Sequence, residues 1–274
     1  MSRIGIMQGR LVPPADNRIQ CFPRNKWRDE FELASKAGLE CIEWIYDLYG
    51  ADVNPIATDP GLQEMRQISA KHNISITSVC ADYFMEKTFL RVSKNETENR
   101  IKDLFWLIQR CQMLGADRIV LPFVDASCIE SEAELDLVCS LLEQTLPVAF
   151  TNNVELHLET SLPPDTIATI LAKLHHPMLK VNYDSGNSSS LGFHPNNEFT
   201  FIGTQIGSVH IKDRIFGGGT VPLGTGDADF SSLFENLKRV HFTGDYILQV
   251  ARGDSGDELN WTKSNLEFIN QYMV

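Results

Sequence analysis

The chain contains 274 residues, of which 36 are Asp or Glu and 24 are Lys or Arg, so its formal net charge at pH 7 is -12. Proteins that bind nucleic acid or an anionic membrane usually carry a basic surface, and this acidic balance argues against both partners. Hydrophobic residues make up 43% of the chain and charged residues 22%, which excludes a disordered, collagen-like or coiled-coil protein.

Short apolar runs, typical of buried strands, alternate with longer amphipathic runs along the whole chain. The runs that predict strands are 4–8, 41–45, 74–81, 118–123, 154–159, 179–184, 206–211 and 246–250. The runs that predict helices are 26–37, 61–72, 96–114, 132–150, 164–174, 231–240 and 258–273. The segment 188–204 is ambiguous and leaves room for a short eighth helix.

The alternation favours one fold class. Eight strand–helix units without a linker, charge block or low-complexity segment predict a single (β/α)8 TIM barrel, an α/β fold, spanning residues 1–274 as one domain. A doubly wound dinucleotide-binding sheet would need a GxGxxG turn after the first strand, and the spacing of Gly5 and Gly9 does not provide it.

The cysteines and the first residues bear on the cellular compartment. The six cysteines are scattered without CxxC spacing, which predicts free thiols in a reducing compartment. The first ten residues contain only a short apolar stretch, shorter than a signal-peptide core. No window approaches the length of a membrane-spanning helix. We therefore expect a cytoplasmic protein.

Polar residues recur in the last four predicted strands. Alternate residues of a strand share one face, and the inward residues at the carboxyl ends of barrel strands line the active-site mouth. The polar candidates on such faces are Glu155, His157 and Glu159 in strand five, Asn182 and Asp184 in strand six, Ser208, His210 and Lys212 in strand seven, and Gln249 in strand eight. Buried carboxylates need a cation. Carboxylates, an imidazole and an amide that converge at four successive strand ends therefore predict a divalent metal site.

Several motifs in this order resemble those of the xylose isomerase-like TIM barrels, and within them the sugar phosphate isomerases and epimerases. The motifs are the opening 5–11 segment, Asp82 after strand three, HLET ending at Thr160, the turn Asp184-Ser-Gly-Asn187, the strand 209–214 and the loop 221–226. The resemblance extends over essentially the whole chain. It implies a metal-dependent isomerase or epimerase that removes a proton next to a sugar carbonyl, with an enediolate intermediate.

The resemblance also implies a ligand set. The family usually holds one divalent ion, such as Mn, Mg, Co or Zn, and the matching positions here are Glu159, Asp184 and His210. At the fourth position, in strand eight, the family pattern places Glu, but this chain has Gln249. An amide oxygen can bind a hard cation, but the amide cannot take up a proton near neutral pH.

The missing carboxylate bears on the mechanism. Epimerisation returns a proton to the opposite face of the substrate, and the two Glu residues of the family resemble a pair that works from both sides. Aldose–ketose isomerisation can use one base. We therefore expect Glu159 to act as the base of a one-base isomerase, unless His157 serves the other face.

Further residues are candidates for binding the substrate, a sugar or sugar phosphate. Three arginines near the predicted mouth could hold a phosphate or carboxylate through two hydrogen bonds. They are Arg10, Arg214 and Arg252, and the remaining substrate-binding candidates are Gln8, Glu43, Asp125 and Lys212.

The sequence also bears on three alternative functions of the same fold. The zinc-dependent apurinic endonucleases use a metal cluster rich in His and bind DNA, whereas this acidic chain has Asn187 where such enzymes place a metal-binding His. A dehydratase acting on a cyclic polyol, or another ketose or polyol, would begin with the same proton abstraction. A barrel that binds a sugar without catalysis, marked by Gln249, is the alternative that is not an enzyme. The sequence leaves the sugar and any homo-oligomer undetermined.

Overall fold

The computed structural model describes residues 2–273 and confirms the closed (β/α)8 barrel. Each strand pairs in parallel with its neighbours in the sequence, and the last strand pairs with the first. The eight barrel strands are Ile4–Met7, Cys41–Ile45, Ser75–Cys80, Arg118–Phe123, Glu155–Thr160, Leu179–Asp184, Ile206–Ile211 and Asp245–Leu248.

The helices pack around this barrel. The longer ones are Asp29–Ala37, Asp59–His72, Lys94–Leu114, Glu132–Asn152, Pro164–Leu174, Pro195–Ile202, Phe230–Arg239 and Glu258–Asn270. Two shorter ones, Tyr83–Glu86 and Ser185–Ser190, follow strands three and six. The ambiguous segment 188–204 thus contains the end of one short helix and the whole of a second. Within the described residues, no helix is both long and apolar enough to cross a bilayer.

Local sequence signals explain the helix ends. Ser93 and Glu96 form a reciprocal capping box at the start of Lys94–Leu114. Gly115 ends that helix with a φ of 91°, a conformation that glycine adopts without steric cost. A small hairpin, Asp213–Arg214 paired with Thr220–Val221, follows strand seven and lies at the carboxyl end of the barrel.

The two faces of the strands bury different chemistry. Outward side chains such as Trp44 pack against the layer around the barrel. The ring centroid of Trp44 lies 5.5 Å from that of Trp27, in the turn before the first helix, and 6.4 Å from that of Phe31, in that helix. The barrel interior is unusually polar. Ser78, Glu43, His157, Ser208 and His210 are all fully buried, and several of them bond across strands that are not neighbours. These buried polar side chains lie below the carboxyl ends of the strands.

Candidate metal centre and active-site cavity

Three side chains predicted as metal ligands meet at the carboxyl end of the barrel. Glu159, Asp184 and His210 lie in strands five, six and seven, and Asp184 is in register with His210. One potential ligand atom from each side chain lies within 4.8 Å of the others, and all three residues are buried. The convergence predicted from the sequence is therefore present.

His210 presents one nitrogen to this centre. Its Nε2 lies 2.7 Å from Glu43 Oε1, a bond that crosses the barrel interior. Its Nδ1 has no hydrogen-bond partner and faces Glu159 Oε2 at 3.6 Å and Asp184 Oδ2 at 3.9 Å. A proton on Nε2 would be shared with Glu43, and the lone pair of Nδ1 would then point at the two carboxylates, as in carboxylate–histidine–metal arrangements.

The electrostatics of the centre favour a cation. Burial lowers the pKa of His210, but the carboxylates of Glu43, Glu159 and Asp184 outweigh burial and raise it to about 9. Burial raises the pKa of Glu159 to about 8. Both pKa shifts show that the buried carboxylates of this centre would be stabilised by positive charge nearby. The orphaned Nδ1 and the two carboxylates fit a divalent ion that accepts mixed nitrogen and oxygen ligands.

Asn187 organises the two carboxylates. Its Nδ2 donates to Glu159 Oε1 at 2.7 Å, and its backbone N–H donates to Asp184 Oδ1 at 2.7 Å. The sequence analysis used Asn187 as part of a motif of the resemblance and as an argument against the endonucleases, and it missed this role. The signal that could have found it is its position in the turn directly after strand six, where an Asp184 cap would place it beside the mouth.

Gln249 lies at the edge of the centre, just beyond strand eight. Its Oε1 accepts from Lys212 Nζ at 3.1 Å, and its Nε2 donates to Gln20 Oε1 at 3.2 Å. Lys212 Nζ also lies 3.3 Å from Asp184 Oδ2. The ammonium group of Lys212 therefore bridges Gln249 and Asp184. A role of Gln249 as a metal ligand stays a prediction.

A cavity of about 550 Å³ opens above the centre. Its lining includes Glu159, Asn187 and Gln249 from the floor. Four of the predicted substrate-binding residues also line it, namely Arg10, Asp125, Lys212 and Arg214. Gln20 and Asp82 contribute as well, joined by a hydrogen bond of 2.8 Å from Gln20 Nε2. Sequence reasoning did not identify Gln20, because nothing in the loop after strand one predicts where it folds.

Three other substrate-binding predictions are not supported by the contacts. Gln8 is fully buried and its Oε1 accepts from the Ile45 backbone N–H at 3.0 Å, inside the sheet. Glu43 is fully buried, its Oε1 bonds His210, and it does not belong to the lining of the cavity. Arg252 donates to the backbone oxygens of Ile19 and Val12 and thereby holds the loop after strand one.

His157 does not reach the mouth. Its Nδ1 lies 2.8 Å from Ser208 Oγ and its Nε2 2.8 Å from Glu155 Oε2, so both ring nitrogens are engaged in the barrel interior. It precedes Glu159 by two residues, which places it on the same face but deeper in the barrel. The contacts therefore do not support the role of second base considered for His157.

Comparison with known proteins identifies the family of this chain from its sequence. A family model described as Xylose isomerase-like TIM barrel matches residues 31–272. A search of curated proteins found no match by sequence.

Three solved structures share the fold over nearly the full length of both chains. A 3-keto-D-glucoside 4-epimerase from E. coli has 15% identity and a TM-score of 0.74, with 99% of this chain and 100% of that chain covered. D-Psicose 3-epimerase from Clostridium cellulolyticum H10, solved with D-tagatose, has 14% identity, a TM-score of 0.76 and 99% of each chain covered. A xylose isomerase-like TIM barrel protein from Mycobacterium smegmatis, in complex with magnesium, has 19% identity and a TM-score of 0.72, with 100% and 97% covered. At such identities the likeness establishes the fold.

Proposed function

Since this chain belongs to the xylose isomerase-like TIM barrel family, we propose that it is a divalent-metal-dependent isomerase or epimerase of a sugar or sugar phosphate. The observation that carries the proposal is the unpartnered Nδ1 of buried His210, which faces Glu159 and Asp184 at the floor of an open cavity. The two epimerases among the structural neighbours support the proposal, and so does the magnesium bound by the Mycobacterium smegmatis protein.

Each residue of the centre has a separate part in this proposal. Glu159, Asp184 and His210 would hold the ion, which supplies Lewis-acid polarisation of the sugar carbonyl when bound. Glu159 would remove the proton from the carbon next to that carbonyl. Asn187 holds Glu159 Oε1 in place by its hydrogen bond.

The surroundings of Glu159 favour a one-base reaction. Gln249 occupies the strand-eight position where the resemblance places a second Glu, and its amide cannot accept a proton near neutral pH. His157 lies deeper in the barrel with both nitrogens bonded. We therefore propose aldose–ketose isomerisation ahead of epimerisation. Exchange of the substrate α-proton with solvent distinguishes this reaction from that of a dehydratase and from sugar binding without catalysis.

The test is exchange of the substrate α-proton with solvent deuterium. The protein loaded with Mn²⁺ is incubated in D₂O with a panel of small aldoses, ketoses and their phosphates, and deuterium at the α-carbon is measured by NMR. We expect incorporation with at least one sugar. Glu159→Gln should reduce it by at least a hundredfold, because general-base contributions have that size.

Glu155→Gln is the matched control, because it removes a carboxylate from the other end of the same strand. It should exchange at a rate close to that of the wild type. Net elimination of water would identify a dehydratase. Tight sugar binding without exchange would indicate a binding protein, and full exchange by metal-loaded Glu159→Gln would rule out Glu159 as the base.

A further inference from the structure

The charged residues that line the cavity are divided between two sides of the barrel. Carboxylates come from the segments after strands two to four, and they are Asp47, Asp82, Glu86 and Asp125. Lys212 and Arg214 come from the segment after strand seven, which lies across the barrel from strand three. The remaining charged residues of the lining are Arg10 and Arg18, from the loop after strand one, and Glu159 at the floor. A ligand in this cavity therefore meets acidic groups above strands two to four, and basic groups above strands seven and one.

The two basic side chains converge on one neutral atom. Arg214 Nη1 donates to Asn187 Oδ1 at 2.9 Å, and Lys212 Nζ lies 3.3 Å from the same oxygen. The other hydrogen bonds of the Arg214 guanidinium in the described chain go to the Gly218 backbone oxygen, at 3.1 and 2.8 Å. Lys212 Nζ is already paired with Asp184 Oδ2 at 3.3 Å, whereas Arg214 forms no ion pair within the described residues. An anion placed beside Arg214 would supply the negative charge that its neutral partners lack.

The backbone leaves room for this arrangement at Gly186. A Cβ atom at position 186 would lie 2.6 Å from Lys212 Cγ and 3.1 Å from Arg214 Cγ. Both side chains pass over this glycine on their way to Asn187. Any larger residue at 186 would push them away from their shared position, so the convergence depends on a residue in the turn after strand six.

We propose that Lys212 and Arg214 bind an anionic group of the substrate, a phosphate or a carboxylate, on the strand-seven side of the cavity. The identity of the ligand as a sugar rests on the proposed function. A guanidinium can bind such a group through two parallel hydrogen bonds, and an ammonium adds a point charge. The loops after strands seven and eight are where TIM barrels often bind phosphate.

Asn187 joins this anion subsite to the reacting groups. Its Oδ1 accepts from both cations, and its Nδ2 donates to Glu159 Oε1. An anion that attracts Lys212 and Arg214 would hold them on the same side chain that positions the proposed base. The substrate class is therefore a charged sugar, and the acidic side of the cavity is left to receive its hydroxyl groups.

Binding of simple anions tests the subsite without knowledge of the sugar. The Mn²⁺-loaded protein is titrated calorimetrically with inorganic phosphate and, separately, with acetate. We expect at least one probe to bind. Binding of phosphate alone identifies a phosphorylated sugar, and binding of acetate alone identifies a sugar acid.

Two variants and one control locate the binding. Arg214→Gln should weaken binding of the probe at least tenfold. Gly186→Ala, which keeps both cations but displaces them, should also weaken it. Arg66→Gln, which removes an exposed arginine from the outer helix Asp59–His72, should bind as the wild type does.

The inference is wrong if neither probe binds, or if Arg214→Gln and Gly186→Ala both bind the probe as tightly as Arg66→Gln does. Its failure is distinguishable from failure of the proposed function. Deuterium exchange into a neutral sugar without anion binding would contradict the anion subsite and support the proposed isomerase. Anion binding that depends on Arg214, without exchange into any sugar, would support the subsite and contradict the proposed isomerase.

Discussion

At the scale of single residues, neighbours decide what each polar side chain of the centre can do. One nitrogen of His210 is bonded to Glu43 and the other has no hydrogen-bond partner, whereas both nitrogens of His157, two strands away, are bonded. Only the first imidazole can bind a metal without breaking a bond. The same residue type therefore serves two purposes within one barrel.

Glu43→Gln tests the orientation of His210. The amide can still accept a hydrogen bond from Nε2, but it lacks the charge that makes the imidazole a better ligand, and such substitutions typically cost about 10- to 100-fold in metal affinity. We expect a loss of that size in calorimetric titration with Mn²⁺. Thr145→Ala, which changes a fully buried position of the outer helix Glu132–Asn152, is the control. Unchanged affinity in Glu43→Gln would mean that Glu43 does not support a ligand.

Gln249→Glu tests the strand-eight position. The new carboxylate would lie where Gln249 Oε1 now accepts from Lys212, and it would add one negative charge beside Asp184. We expect Mn²⁺ affinity to rise roughly tenfold, about 1.4 kcal/mol. A trace of epimer should also accompany any isomer product, because a second base becomes available.

Gln249→Met, which has no side-chain oxygen, should not show the gain in affinity. If the glutamate variant binds the ion no better than the wild type, Gln249 does not face the ion, and the argument for a one-base reaction is lost.

At the scale of elements, one buried carboxylate organises the loop that follows strand seven. Asp213 is fully buried, and its Oδ2 accepts from the backbone N–H groups of Gly224 and Gly226, both at 2.9 Å. Its Oδ1 accepts from the backbone N–H of Ala228 at 3.1 Å. The loop that contains Gly224, Gly226 and Ala228 is therefore fixed to the hairpin that also bears Arg214.

Asp213→Asn should loosen this loop, because an amide nitrogen cannot accept the bonds that a carboxylate oxygen accepts. An unsatisfied buried group costs about 1–3 kcal/mol. We expect faster hydrogen exchange over 220–228 by mass spectrometry and a lower melting temperature. Asp227→Asn, at an exposed position of the same loop, affects one backbone hydrogen bond, from the Phe216 N–H, where Asp213 accepts three, and it should change both less. Equal exchange rates in the two variants would contradict the organising role of Asp213.

At the scale of the whole molecule, an ion-pair cluster closes the amino end of the barrel. Asp245 of strand eight binds Arg3, which precedes strand one, with Arg3 Nε 2.8 Å from Asp245 Oδ1, and it also binds Arg118 of strand four. Burial raises the pKa of Asp245, but these two arginines outweigh burial and hold the pKa below its usual value. The cluster joins the first and last strands, so it bears on barrel closure.

The pKa shift gives this cluster a definite pH dependence. The pKa of Asp245 is lower in the folded state than the ordinary value of about 3.9 that we take for the unfolded chain. Its stabilising contribution is therefore complete at neutral pH and is lost as the pH falls through the folded pKa.

Asp245→Asn should lower the free energy of unfolding at pH 7 by about 3–5 kcal/mol, because it leaves arginine charges without their partner. The variant should also lose less stability than the wild type between pH 5 and about pH 3. Urea unfolding at several pH values measures both effects. Asp52→Asn, which breaks an exposed pair with Arg24, should have only a small effect. Parallel pH profiles for wild type and Asp245→Asn would contradict this account.

Local periodicity was sufficient to predict the fold, and the family resemblance then selected three candidate metal ligands among the inward polar residues. Alternating strand and helix patterns predict the barrel, and residue parity places Glu159, Asp184 and His210 on inward faces. Barrel closure then brings these strand ends together, whatever the details of packing, because parallel strands all present their carboxyl ends at one rim. The capping residues Ser93 and Gly115 likewise mark helix ends from the sequence alone.

The tertiary structure alone decided which polar groups touch. Glu43 lies 167 residues from His210 in the sequence, and the loop that brings Gln20 to Gln249 is separated from it by 229 residues. Parity says that His157 faces inward, but its depth in the barrel and its two partners decide that it does not reach the mouth. Periodicity specifies the face of a strand, whereas depth, cross-barrel partners and loop paths depend on how all eight strands pack together.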